Sequence, residues 1–300
     1  MPEVVAHNRW WSVAKFRITF GLLSSLFLLS SPLTASHAGL IMDDGFESGT
    51  YMPGANLNWA KSNWANVQQP IIGNLFCCDH SINTVSSPAR SGKYAVKMEY
   101  KCGDEYAAGR PRVQLSRAGK GDADYLSERW YGFSIYVPSN WVNYSDGWLG
   151  LFDIHGNNGN GQPISLHING GQWQIFSYTP HAGNVKQWVG STGGDKGKWT
   201  DWVFHIKFDD RSNGNGFLEA WKNGNKVLDY RGRIGDTSSD PYMKIGPQIS
   251  PSKYYCPRTV YYDNIRIGNQ NSSLSEMSSG GGGTAQSPPS APTNLSISVN

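Results

Sequence analysis

The sequence predicts an all-β fold, a β-sandwich or jelly roll whose polar strand faces line a concave groove, and three observations carry the all-β expectation. Segments with period-two alternation of apolar and polar residues recur at short intervals from Ser91 onwards, separated by Gly, Asn and Pro turn signals. No helical pattern of ordinary length competes with them. The composition, with 35 Gly and 13% aromatic but only 16% charged residues, suits a β-rich extracellular protein with sugar-stacking surfaces.

Residues 1–38 read as a signal peptide. Arg9, Lys15 and Arg17 precede an apolar run at 20–29, and Ser36-His37-Ala38 supplies the small residues for cleavage after Ala38. That run is shorter than the ~20 residues of a membrane span, and no later stretch provides them. The expected product is therefore secreted or periplasmic, a monomer with no membrane or nucleic-acid partner. The formal charge of +3 includes leader residues, and no basic block suited to phosphate occurs. Export makes Cys77, Cys78, Cys102 and Cys256 disulfide partners. Adjacent cysteines bond each other only with backbone strain, so one of Cys77 and Cys78 is expected to bond Cys102 and the other Cys256. No Cys-x-x-Cys or His-x-x-x-His spacing supports zinc.

The main domain is expected to span 39–268. Residues 40–49 read as a first strand and turn, and 50–87 as a long irregular excursion that contributes His80 as an imidazole candidate. Strands are expected at 94–100, 110–117, 130–137, 149–156, 163–168, 172–178 and 202–208. Those at 217–221 and 226–230 flank Asn223-Gly224, a tight-turn pair because both residues accept positive φ. Strands at 242–249 and 259–267 complete the set. Residues 269–290 read as a Ser/Gly/Pro linker, and 291–300 as the start of a truncated fibronectin-III-like module.

Three of these strands carry polar residues on one face. Asp153 and His155 alternate with Phe152 and Ile154; Arg112, Gln114 and Ser116 alternate with Val113 and Leu115; Tyr242, Lys244 and Gln248 share a segment with Met243 and Ile245. If 149–156 pairs with 163–168 through the intervening glycine loop, Ser165 and His167 join the same face. A face with this many charges is costly to bury, so it is expected to line a wet groove.

These segments carry a resemblance. Arg112-Val113-Gln114-Leu115-Ser116, Phe152-Asp153-Ile154-His155-Gly156 and Tyr242-Met243-Lys244-Ile245-Gly246-Pro247-Gln248 resemble the three sheet motifs of jelly-roll polysaccharide lyases, in the alginate, glucuronan and heparin-lyase-I-like group, whose fold is a concanavalin-like sandwich. Residues 130–138, 219–224 and 260–265 are similar to further segments of the heparin-lyase-I-like branch. The resemblance implies β-elimination on a uronic-acid polysaccharide: a positive or amide group binds the uronate carboxylate, a base takes the C5 proton, and an acid protonates the departing O4. Mapped onto this chain, His155 is the base and Arg112 the carboxylate contact. Lys244 adds positive potential, and Gln114, Asp153, His167, Gln248 and His80 join in binding an acidic polysaccharide. Three positions differ from the family pattern, with Gln114 in place of Glu, Asp153 in place of Gln, and Gln248 in place of the acid Tyr. Tyr254 or Tyr255 is expected to supply the acid, or His155 serves as both base and acid.

Two other functions compete. A non-catalytic carbohydrate-binding protein needs only platforms such as Trp59, Trp64, Trp148, Trp173 and Trp188. A glycoside hydrolase needs two carboxyl groups facing the groove, where the strand pattern places only Asp153. No cofactor is required by the elimination. Asp44, Glu47, Asp263 and Asn264, with Glu47 and Asp263 foremost, offer oxygen ligands for a structural calcium between the first and last strands.

Overall fold

The computed structural model describes residues 39–51, 66–68, 71–72, 75–76, 80–104, 112–118, 123–144, 147–156, 161–236, 240–249 and 256–279. The first strands are β1 (Leu40–Asp44), β2 (Asn66–Gln68), β3 (Ile71–Ile72), β4 (Leu75–Phe76), β5 (Ile82–Val85) and β6 (Ala95–Tyr100). Then come β7 (Gln114–Ser116), β8 (Glu128–Tyr136), β9 (Leu149–Gly156), β10 (Ile164–Asn169), β11 (Gln172–Thr179) and β12 (Gly183–Ser191). The chain continues through β13 (Trp199–Lys207), β14 (Phe217–Lys222), β15 (Asn225–Arg231), β16 (Pro241–Ile249) and β17 (Arg258–Asn269) to a short helix, α1 (Leu274–Met277). The predicted sandwich is present. One antiparallel sheet runs β15-β14-β13-β8-β17-β6-β5, with β1 also paired to β17, and the other runs β12-β11-β10-β9-β16-β7-β2.

Alternation explains the core between them. Tyr131, Phe133 and Ile135 of β8 and Trp202, Phe204 and Ile206 of β13 face Phe152 and Ile154 of β9, Met243 and Ile245 of β16, and Leu166 of β10. The Phe133 and Phe152 rings meet across the sheets at 4.6 Å. Each fully buried side chain of this size contributes about 1.5–3 kcal/mol, which far outweighs any single surface contact.

Two irregularities aim the polar residues. In the β9–β10 ladder Leu166 pairs with Phe152 but His167 pairs with Gly150, so Leu151 is an extra residue. Its carbonyl accepts a hydrogen bond from the buried Tyr262 hydroxyl at 2.8 Å. The bulge switches the parity of the strand: Leu149, Leu151, Phe152 and Ile154 all join the core while Gly150, Asp153 and His155 face outward. Strand β16 shows a matching shift between Ile245 and Gln248, made by Gly246 and Pro247. Gly246 has φ +122, and a Cβ there would lie 2.1 Å from the Val113 carbonyl oxygen and 2.7 Å from the Met98 sulfur.

Two expectations need correction. Cys102 bonds Cys256 directly, with Cα atoms 5.1 Å apart, so neither bonds Cys77 or Cys78, which lie outside the described residues. The reason is register: Tyr100 pairs with Arg258 in the β6–β17 ladder, so two residues further along each strand the cysteines face one another. Packed structure also continues past Gly268 to Ser279, where the linker was expected. Ser273 and Glu276 form a reciprocal capping box on α1, Met277 packs with Trp130, Val203 and Trp221, and Arg266 donates to the Glu276 and Ser278 carbonyls. The signal-peptide residues 1–38 and the module expected at 291–300 lie outside the described residues.

Gly246→Ala adds both a clash with backbone and a side chain at positive φ, each costing about 1–3 kcal/mol. It is expected to lower the urea midpoint by the equivalent of about 2 kcal/mol or more, with an unchanged denaturant slope.

Candidate functional site

Strand pairing assembles the outward face of the seven-stranded sheet. Lys244 lies opposite Asp153 and Tyr242 opposite His155 in the β9–β16 ladder. Lys244 also pairs with Ser116 of β7, Ser165 of β10 pairs with Asp153, and Arg112 bridges to Gln248. Arg112, Gln114, Asp153, His155, Lys244 and Gln248 are thereby brought together, with Tyr242 among them. Asp153 is the only acidic residue in the seven strands of this sheet among the described residues.

The face is drier than expected. Gln114, Asp153, Lys244 and Gln248 are all buried, Asp153 at 1% exposure, whereas Arg112, His155 and Tyr242 remain partly exposed. Arg112, His155 and Tyr242 are therefore the accessible groups of this face, with a buried polar layer beneath them. In that layer the Gln114 amide donates to Asp153 Oδ2 at 3.3 Å, while Asp153 Oδ1 and Gln114 Oε1 have no hydrogen-bond partner among the described residues. Burial pushes the Asp153 carboxyl up to about 7, against the opposing pull of Lys244, Gln114 and Arg112. Burial, reinforced by Arg112, brings the Lys244 ammonium down to about 8, with Asp153 pulling the other way. Removal from water thus dominates for both, and near neutral pH neither carries an undiminished charge.

The exposed pair has a defined proton arrangement. His155 Nδ1 lies 2.9 Å from the Gly156 carbonyl, which can only accept, so Nδ1 carries the hydrogen and Nε2 the basic lone pair. The Tyr242 hydroxyl lies 3.3 Å from the same Nδ1 and contributes its oxygen there, which leaves its own proton directed elsewhere. Burial raises the Tyr242 pKa, with Arg112 opposing, so the phenol stays protonated at neutral pH. The site can therefore present a base and an acid side by side, with a guanidinium nearby. Sequence reasoning put Tyr242 on this face without giving it a role; its place opposite His155 was the missing signal.

Other candidates fall elsewhere. His167 is buried against Trp148, stacked with ring centroids 4.9 Å apart, and burial lowers its pKa to about 4, so it is a neutral packed imidazole opposite Gly150. His80 pairs with Asp104 at 3.0 Å beside β5 of the other sheet. Trp173 is fully buried and packs edge-on to Trp202, as does Trp188. Tyr254, Tyr255, Trp59 and Trp64 lie outside the described residues. Glu47 accepts the amides of Lys93 and Tyr94, and Asp263 those of Arg90, Ser91 and Asn264. Among the described residues no group of three or more His, Cys, Asp or Glu is placed to hold a metal ion, and no helix is long and apolar enough to cross a membrane.

A family model described as polysaccharide lyase matches residues 54–266. The chain belongs to the polysaccharide lyase family. This lyase also shares its fold with solved structures of low sequence identity. A glucuronan lyase from the fungus Trichoderma reesei is 15% identical, with 72% of this chain and 98% of that one covered and a TM-score of 0.54. A GH131 β-glucanase catalytic domain from Podospora anserina is 14% identical, covering 81% and 99%, at 0.53. The family 7 alginate lyase A1-II′ is 12% identical, covering 75% and 99%, at 0.52. No curated protein matches the chain.

The Asp153 carboxyl yields a pH signature. It ionises near 3.8 when unperturbed and near 7 in the fold, so between these values the folded chain holds a proton that the unfolded chain has released. Stability falls as pH rises through that window and levels off above it. Asp153→Asn is expected to gain on the wild type by up to a few kcal/mol between about pH 5 and about pH 8. Urea midpoints at the two pH values measure this, and a pH-independent difference would sink it.

Proposed function

We propose that this polysaccharide lyase is an exported enzyme that cleaves an acidic, uronic-acid-containing polysaccharide by β-elimination, with His155 as base and Tyr242 as acid. The observation that carries the reading is the His155–Tyr242 pair at 3.3 Å, partly exposed beside Arg112 on an otherwise buried polar face. The three strand motifs support the uronate chemistry, as do fold relatives that include a glucuronan lyase and an alginate lyase. The expected export rests on the leader pattern at 1–38.

In this mechanism Arg112 pairs with the uronate carboxylate and draws charge from the adjacent carbon, which acidifies the C5 hydrogen. His155 Nε2 takes that hydrogen as a proton. The C5–H electrons become the C4–C5 double bond, the C4–O4 bond breaks, and O4 leaves with the proton from the Tyr242 hydroxyl. The products are an unsaturated uronate and a free hydroxyl end. Tyr242 takes the role that the family motif gives to the position of Gln248, whose amide cannot act as an acid. Asp153 lies beneath this reaction, and its burial-raised pKa reduces the negative charge it would set against a uronate.

Incubating the mature domain with a panel of uronate polymers and following absorbance of the unsaturated product tests the reaction. His155→Ala is expected to lower turnover by about 10²–10⁴-fold with binding kept within a few-fold. Tyr242→Phe should lower kcat by a similar factor with KM little changed. No new chromophore on any polymer, or undiminished turnover in Tyr242→Phe, defeats the assignment.

A further inference from the structure

Away from the polar face, Arg258 at the start of β17 is a buried cation without a counter-charge among the described residues. It is 5% exposed, and it donates through Nη1 to the Val142 carbonyl at 3.1 Å, its one hydrogen-bond partner among the described residues. Its guanidinium lies 4.2 Å from the Tyr144 ring centroid and 4.7 Å from that of Trp141. Burial lowers its pKa to about 10, so it remains a cation at neutral pH. Cation–π contact offsets part of the desolvation cost, but it pairs no N–H, and apart from the Nη1 bond to Val142 the edges of the guanidinium have no hydrogen bond among the described residues. Those edges are the part of arginine that grips carboxylate or sulfate oxygens in pairs.

The same side chain lines a cavity of about 240 Å³ together with Pro138, Asn140, Trp141, Tyr144 and Thr259. A second cavity of about 10 Å³, room for about one water, reaches from Arg258 to Trp148 and Leu149. The larger one is below the range of about 300–1,000 Å³ that drug-sized ligands occupy, so it fits one sugar unit rather than an oligosaccharide. The Cys102–Cys256 bond, two residues before Arg258, fixes the strand that carries the guanidinium. Leu149, at the wall of the smaller cavity, and His155 are six residues apart on β9, about 20 Å at the rise of a strand.

We infer that the Arg258 cavity is a second saccharide site, which takes a single anionic sugar unit apart from the face where elimination occurs. The anionic preference follows from the guanidinium and its unused donors, and the saccharide from the aromatic walls in a polysaccharide lyase. The inference does not rest on the roles of His155 and Tyr242. It gives the enzyme a hold on its polymer that persists whether or not the reactive face is occupied.

Tryptophan fluorescence of the intact chain, titrated with sodium glucuronate, glucose and sodium sulfate, tests the site, because Trp141 adjoins the guanidinium. Glucuronate is expected to give a saturable change that glucose does not, that persists in His155→Ala and that disappears in Trp141→Phe. Arg258→Gln should weaken it by at least about tenfold, the loss of one charged hydrogen bond. Asn140→Trp, which fills the cavity without altering Arg258, should abolish it even if Arg258→Gln does not fold. Competition by sulfate supports a site that reads the charge whichever group carries it. An equal response to glucose, an unchanged response in both Arg258→Gln and Asn140→Trp, or binding of sulfate but not glucuronate overturns the inference. None of these outcomes bears on whether the polar face performs elimination.

Discussion

The extra residue Leu151 in β9 is the constraint on which the site depends. A strand of strict alternation would put Leu149 on the same face as Asp153 and His155, exposing a leucine to the polar layer or moving the charges into the core. The bulge lets both ends of β9 bury their apolar residues and still present Gly150, Asp153 and His155 outward. The Tyr262 hydroxyl satisfies the Leu151 carbonyl, which would otherwise be an unpaired acceptor in a dry interior. Tyr262 comes from the opposite sheet, so the geometry of the polar face is locked to the packing of the whole sandwich. The shift at Gly246 and Pro247 on the neighbouring strand lies opposite the same bulge, and beyond it Gln248 and Ile249 pair with Gly150 and Leu149.

Much of this was legible where alternation was strong. The bounds of β9, the polar faces of β7, β9 and β16, and the place of Ser165 on the same face as Asp153 all follow from period-two patterns and one loop. Where contrast between faces is weak, the pattern is silent: β12 is exposed along most of its length, so nothing in its sequence distinguished it from a loop. The Cys102–Cys256 bond depends on which strands are neighbours in the sheet, and spacing along the chain does not contain that. Helix α1 carries a readable Ser273-x-x-Glu276 capping signature, but it is a single turn within a Ser/Gly-rich run, and Met277 alone of its residues is buried.

The expectation of a wet groove failed for an instructive reason. Polar residues were assumed to need water, yet the pairing of Lys244 with Asp153 gives each a partial counter-charge, and the Gln114 amide serves Asp153 directly. Burial is what moves both pKa values toward neutrality, and the partial counter-charges oppose it without cancelling it; a full ion pair would have held them apart. Arg258 is the contrasting case. It is as buried as Lys244 but has aromatic rings where Lys244 has a carboxyl, and rings stabilise a cation without saturating its donors.

The same sandwich hosts lyases and a GH131 β-glucanase, so the fold by itself does not choose between elimination and hydrolysis. The choice lies in what the strands present. Glycoside hydrolysis of the usual kind needs two carboxyl groups about 5–9.5 Å apart, one to protonate the leaving oxygen and one to act as base or nucleophile. The strands of the seven-stranded sheet contain Asp153 alone among the described residues, and it lies buried beneath the accessible groups. Those accessible groups are an imidazole with its Nε2 basic, a phenol held in its protonated form, and a guanidinium. Such a set can remove one proton, deliver another and neutralise an adjacent carboxylate, which are the three operations of β-elimination. It contains no carboxylate nucleophile to form a glycosyl–enzyme bond. The substitution of Asp for a neutral amide beside His155 does not alter that balance, because burial gives Asp153 the protonation behaviour of a group far weaker than an ordinary carboxylic acid.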